Sequence, residues 1–311
     1  MAPPRSWILS EAYAGLQSQA LGLAERAGLT PDLRVLAARP PWSWLPARLW
    51  PAPLAVAGAA VSPPVPPLVI GCGGMAAAVG ARLRRPGCAV VQVQNPRMDL
   101  ARFDLVVANR HDELAGPNVI VTRTALHRVS SARLAAARAE WAGRFAHLPR
   151  PLVAVLVGGT NGRFRLDAAV AADLAAGLAA MMRADRVGLI LTPSRRTDPV
   201  AARTLRETLA PLGADVWDGS GENPYFGMLA LADAIVVTID SVSMVSEAAA
   251  TAAPVLLAGL PGRSRRIGLF LDGLRADGRV RDFAGRLETW PVAAIDDTEA
   301  AAAEMRRRLG F

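Results

Sequence analysis

The chain has 311 residues and a formal charge of +8, carried by 35 basic residues that are all Arg, against 27 acidic ones. That length exceeds what one hydrophobic core usually serves, so two domains are expected, and an apolar content of 52% excludes a disordered chain. Two cysteines, Cys72 and Cys88, exclude a disulfide scaffold; with only three His and no paired Cys motif, no metal site is expected.

The Arg excess admits an anionic small ligand, an anionic membrane surface or nucleic acid, or simply a GC-rich genome that replaces Lys throughout. Only Arg263, Arg265, Arg266 and Arg306, Arg307, Arg308 form tight groups. No aromatic residues interleave with them, so nucleic acid is not an expected partner. The first residues lack the apolar core of a signal peptide, and no apolar run reaches membrane-spanning length. The expected location is cytoplasmic, with room for a peripheral contact at the inner face of a membrane.

In chain order, short apolar runs alternate with Ala-rich helical runs. The expected strands are 68–70, 89–93, 105–108 and 119–121, then 152–157, 187–191, 215–217, 234–238 and 254–258. Most are continuously apolar, as befits strands covered on both faces in a parallel sheet, and the spacing fits βαβ units. The fold class is therefore α/β, with two doubly wound, Rossmann-like domains. The Pro- and Trp-rich stretch 39–67 reads as an irregular excursion. Two prolines in His147-Leu148-Pro149-Arg150-Pro151 mark a connector. The expected division is 1–147, an acceptor-side domain; 148–295, a nucleotide-binding domain; and 296–311, a helix capped by Asp296 or Thr298 and ended by Gly310.

Four groups of residues are candidates for chemistry. Gly158-Gly159-Thr160 directly follows the strand 152–157, a geometry that brings backbone N–H groups close to a phosphate; a plain tight turn is the alternative. Ser194, Arg195 and Arg196 follow strand 187–191, at the sheet edge where open α/β sheets bind ligands, and an Arg pair suits a diphosphate. Asn223 caps a helix, and the stretch that follows leads through strand 234–238 into Ser241, Ser243, Met244 and Glu247 at a helix start. A capping box would explain Glu247, but it needs a hydroxyl or acid three residues earlier and finds Met244. Glu247 therefore reads either as a ribose ligand or as an acid favouring the helix dipole. In the N-terminal half, His111 beside Asp112 after a strand offers a general base, with a structural loop His as the alternative.

The strings NPYFGMLALADAIVVTIDSVSMVSEAAATAAPVLL, LVAVLVGGTNGRF and LTPSRRT, with QNPR and FDLVVANRHDELAGPNVI, resemble the mitochondrial fission, elongated-mitochondria type family. Its bacterial members are often labelled predicted nucleoside-diphosphate-sugar epimerases. The resemblance implies a GT-B-like pair of Rossmann-like domains facing across a cleft and a nucleoside-diphosphate sugar as substrate. It implies no required cofactor, and glycosyltransferase or epimerase activity without a metal. A lipid acceptor would bring peripheral membrane contact. The alternative is a non-catalytic adaptor working through the Arg263–Arg266 segment or the Trp42/Trp44 excursion. One departure is Ala252-Ala253-Pro254, where the family often has Gly-Lys-Pro.

Overall fold

A computed structural model describes residues 5–311. Along the chain run β1 (Arg5–Ser10), α1 (Ala14–Arg26), β2 (Thr30–Val35), α2 (Pro53–Ala57), β3 (Leu68–Cys72), α3 (Gly74–Leu83), β4 (Ala89–Val93), β5 (Leu105–Asn109) and β6 (Val119–Thr122). Next come α4 (Ser131–Phe145), β7 (Leu152–Val157), α5 (Ala168–Asp185), β8 (Gly188–Pro193), α6 (Pro199–Leu209), β9 (Asp215–Val216) and α7 (Tyr225–Leu231). The last are β10 (Ala234–Thr238), α8 (Val242–Ala249), β11 (Val255–Ala258), α9 (Arg265–Ala276), β12 (Val280–Asp282) and α10 (Asp297–Leu309).

The chain divides into two compact units, Met1–Arg128 with Asp296–Phe311, and Val129–Ile295. Each holds one six-stranded sheet, in the orders β2-β1-β3-β4-β5-β6 and β12-β11-β10-β7-β8-β9. Every pairing is parallel. The strands expected from apolar runs are present. β7 and β10 are buried at every position, the reason their sequences do not alternate. Three strands escaped the sequence reading: β1, edge strand β2 and edge strand β12. β2 is TPDLRV, mostly exposed and carrying a proline, which edge strands tolerate.

The division falls earlier than the connector at 147–151 suggested. α4 buries Ala137, Trp141 and Phe145, and Trp141 packs so closely on α7 that a Cβ on Gly227 would lie 2.4 Å from its ring. Arg133 stacks 4.9 Å from the Phe226 ring, and Arg138 donates to the Ala230 carbonyl. These contacts fix α4 in the second unit, so the prolines join a helix to a strand within one unit. The closing helix α10 is not a separate appendage either. Its N-cap Asp296 accepts from Thr298 N at 3.0 Å and pairs with Arg26 at 2.7 Å, while Asp297 pairs with Arg123 at 2.9 Å. Ala301, Ala302 and Met305 complete the core beneath α1. Gly310 ends the helix at φ +75°.

The excursion 39–67 is more ordered than its composition suggests, with three 3-10 turns around α2. Trp50 is buried and its indole N–H donates to the Trp42 carbonyl at 3.0 Å.

Candidate functional site

In the second unit the chain winds β7, β8, β9 to one side and then crosses to β10 on the other side of β7. The carboxyl ends of β7 and β10 therefore flank the topological switch point, where open α/β sheets take their ligands. Three segments meet there: Gly158–Asn161 after β7, Ser194–Thr197 after β8, and Ile239–Ser241 leading into α8.

They are held by one buried carboxylate that sequence reasoning did not single out. Asp240 has a side-chain exposure of 0%. It accepts from Thr238 Oγ1 at 2.7 Å and from Gly159 N at 3.1 Å, and it pairs with Arg196 Nη2 at 2.8 Å. Thr238 Oγ1 in turn accepts from Gly158 N at 2.8 Å. A Cβ on Gly158 would lie 2.1 Å from Asp240 Oδ1, and one on Gly159 would lie 2.1 Å from the Arg196 carbonyl oxygen. The glycines are thus required by the chain's own carboxylate and backbone. Their two N–H groups are engaged within the chain, by Thr238 Oγ1 and Asp240 Oδ2, and not turned outward as the sequence reading expects.

Thr160 accepts from Leu166 N at 2.9 Å and closes its own loop. Ser194 Oγ accepts from Arg196 N at 3.2 Å; Ser194 N donates to Thr197 Oγ1 at 2.9 Å, and Thr197 Oγ1 also donates to the Gly158 carbonyl. The two turns are stitched together by these hydroxyls. Arg195 is exposed and makes no ion pair or hydrogen bond among the described residues. Arg196 keeps 41% of its side chain exposed although one guanidinium nitrogen is tied to Asp240.

The start of α8 is different. Ser241 is its N-cap and accepts from Met244 N at 3.4 Å. The leading amides of Val242 and Ser243, and the Ser243 hydroxyl, find no partner among the described residues. They lie at a helix N-terminus, where an anion is stabilised by free N–H groups and by the helix dipole. One turn later Glu247, 7% exposed, accepts from the Tyr225 hydroxyl at 2.5 Å. Burial first, and the Glu247 carboxylate second, push the Tyr225 phenol well above its usual value. This bond brings the start of α7 beside α8. Asn223 Oδ1 accepts from Tyr225 N at 3.0 Å there, and Pro224 is the N-cap itself, one residue later than expected.

Arg279, 2% exposed, was also missed. It donates to the carbonyls of Ala249, Ala248, Thr251 and Ala253 at 2.8–3.1 Å and so satisfies the chain at the end of α8. Burial lowers its guanidinium to about 10, which leaves it charged at neutral pH. A basic group thus reaches the Ala252-Ala253-Pro254 turn from just before β12, where no local sequence signal points to it.

In the first unit His111 and Asp112 occupy a single 3-10 turn after β5. They are at the carboxyl edge, as expected, but His111 is 7% exposed and packed inside. Among the described residues there is no cluster of three or more His, Cys, Asp or Glu able to hold a metal ion.

Residues 14–309 match the family model described as Mitochondrial fission ELM1. The chain is similar to the mitochondrial fission protein ELM1 of Arabidopsis thaliana, with 34% identity over 274 residues, 78% of this chain. It spans 64% of that protein's length, just under two thirds. Among solved structures it resembles the UDP-GlcNAc 2-epimerase of Methanocaldococcus jannaschii in complex with UDP-GlcNAc and UDP, with TM-score 0.56, 11% identity and 99% of each chain covered. It also resembles Os79 of O. sativa in complex with UDP, with TM-score 0.54, 13% identity, and 98% of this chain and 91% of that one covered. The fold is that of the GT-B glycosyltransferases and epimerases.

Proposed function

The chain belongs to the mitochondrial fission ELM1 family, and from that premise we propose that its second unit binds a nucleoside-diphosphate sugar at the carboxyl edge between β7 and β10. The observation that carries the reading is the start of α8, where two amides and the Ser243 hydroxyl are left for an anion at the switch point. Arg195 and the exposed part of Arg196 supply the cationic side of a diphosphate site. Thr160, Ser194 and the Gly158-Gly159 turn shape its wall rather than donate to it. Ser241 and Met244 fix the helix start. Asn223 and the Tyr225–Glu247 pair form the ribose end. UDP-GlcNAc and UDP, the ligands of the two structural relatives, belong to this chemical class.

The finer reading is sugar transfer or epimerisation without a metal, with His111 or Asp112 as the activating group. A second reading, a non-catalytic adaptor that keeps the fold, is favoured by the internal use of the Gly158 and Gly159 amides.

Thermal denaturation with a panel of nucleoside diphosphates and their sugars tests the binding. A bound ligand raises Tm by mass action; no rise with any of them at millimolar concentration overturns the proposal. Product analysis with the ligand that binds separates enzyme from adaptor. A His111→Asn variant with unchanged nucleotide affinity and lower turnover supports the activating role, and unchanged turnover removes it.

A further inference from the structure

We propose that the excursion between β2 and β3 in the first unit is a docking surface for an anionic phospholipid bilayer. Its side chains sort into an anchoring set and an outward set. Trp50 and Pro53 are buried, and the indole of Trp50 ties the segment to Trp42. The surface is therefore held on a folded base. Facing outward are Trp44, 77% exposed, and Leu49, 60% exposed, with Leu45 and Leu54 also exposed. Trp44, Leu45, Leu49 and Leu54 lie within eleven residues of sequence, a density of outward apolar side chains that water alone does not favour.

The charge beside them has one sign. No Asp or Glu occurs between Leu33 and Met98, a stretch with seven Arg. Arg34 is paired with Asp32 and Arg84 with Asp104. Arg39 and Arg48, which flank Trp42 and Trp44, are exposed and have no carboxylate partner among the described residues. Tryptophan favours the headgroup level of a bilayer. Leucines insert below that level, and guanidinium groups pair with lipid phosphates. Shallow apolar insertion and cationic attraction are each weak alone and together give stable peripheral binding. The cavity behind the surface, about 270 Å³ and lined by Ala37, Arg39, Trp42, Ala52, Ala55 and Val56, is smaller than typical small-molecule pockets. No helix among the described residues is long and apolar enough to cross a membrane, so the contact proposed is a surface one.

Flotation of the full chain with phosphatidylcholine vesicles, with and without phosphatidylglycerol, tests the proposal. The wild type should float with the anionic vesicles only, and salt should release it. Trp44→Ser/Leu49→Ser and, separately, Arg39→Glu/Arg48→Glu should each lower partitioning on the order of tenfold. Wild type that stays soluble with anionic vesicles overturns the proposal, as does floating of either double variant at the wild-type level. These side chains are exposed, so circular dichroism and Tm should match the wild type. Should a variant misfold, quenching of the wild-type protein's Trp fluorescence by brominated phosphatidylglycerol, diminished in Trp44→Phe, decides in its place; equal quenching in the two overturns the proposal. Concentration-dependent self-association lost in the variants, without vesicle binding, identifies a second copy as the occupant and also overturns it.

Discussion

Each unit places a carboxylate against a glycine at its switch point, and the two do different work. In the second unit Asp240 lies against Gly158, and its carboxylate is enclosed by Thr238, Gly159 N and Arg196. In the first unit Glu11, after β1, lies against Gly73, whose Cβ would fall 2.2 Å from Glu11 Oε2. Glu11 Oε1 accepts from Met75 N at 3.0 Å, on the first turn of α3. With burial, the Glu11 charge pushes the Cys72 thiol well above its usual range. The first unit thus fills its own helix N-terminus with its own anion. The second uses its carboxylate to brace the loops and leaves the leading amides of α8 without a partner among the described residues. Shared topology does not make two equal helix starts; the difference lies in where one acid points.

That contrast can be broken by substitution, beginning with the largest effect. Gly159→Ala drives a Cβ into the Arg196 backbone, which cannot rotate away. Overpacking costs about 1–3 kcal/mol and occasionally more, and a clash with rigid backbone falls at the upper end of that range, whereas Gly162→Ala meets nothing within 4 Å. Denaturant midpoints of the two variants should differ widely; equal midpoints would show that the loop is not braced as described. Asp240→Ala strands the Thr238 hydroxyl and Gly159 N and releases Arg196. The expected loss is about 2–4 kcal/mol, less than for a fully buried pair because Arg196 can be hydrated.

Glu11→Ala should be milder, about 1 kcal/mol, as for a lost N-terminal helix contact. If Glu11→Ala costs as much as Asp240→Ala, the distinction between plug and brace fails. The smallest effect is expected from Tyr225→Phe, about 1 kcal/mol for one buried hydrogen bond, with weaker nucleotide binding if Glu247 lines the ribose. Its pH signature has a definite sign. The folded phenol has a raised pKa, so its contribution is complete below the unfolded value near 10 and fades as pH climbs through the folded one. Wild type should therefore lose stability relative to Tyr225→Phe as pH rises above about 10, read as a narrowing of the gap between their alkaline denaturation curves.

How much of this was legible in the sequence follows from the range of each cause. Continuous runs such as LVAVLV and AIVVT announce strands covered on both faces, because burial acts on every residue. Strand β2 did not, because an edge strand with Pro31 and mostly exposed side chains lacks that pressure. The boundary was misread because prolines signal a break in local structure, not a break in packing; Trp141 on Gly227 decides the matter, and that contact spans 86 positions. The need for Gly158 and Gly159 was visible, but its reason was not: Asp240 stands more than 80 positions away. Arg279 was invisible for the same reason, since its four carbonyl partners lie 26 to 31 positions upstream.

The fastening of α10 onto α1 also sets a timetable. The first unit is assembled from both ends of the sequence, with the second unit inserted between them. During synthesis the second unit is complete once Ile295 has emerged, while the first still lacks the helix that covers Leu23 and Ala24 and neutralises Arg26 and Arg123. The half made first is therefore the half finished last, and until then its unfilled face is the nascent chain's exposed flank to chaperones and proteases.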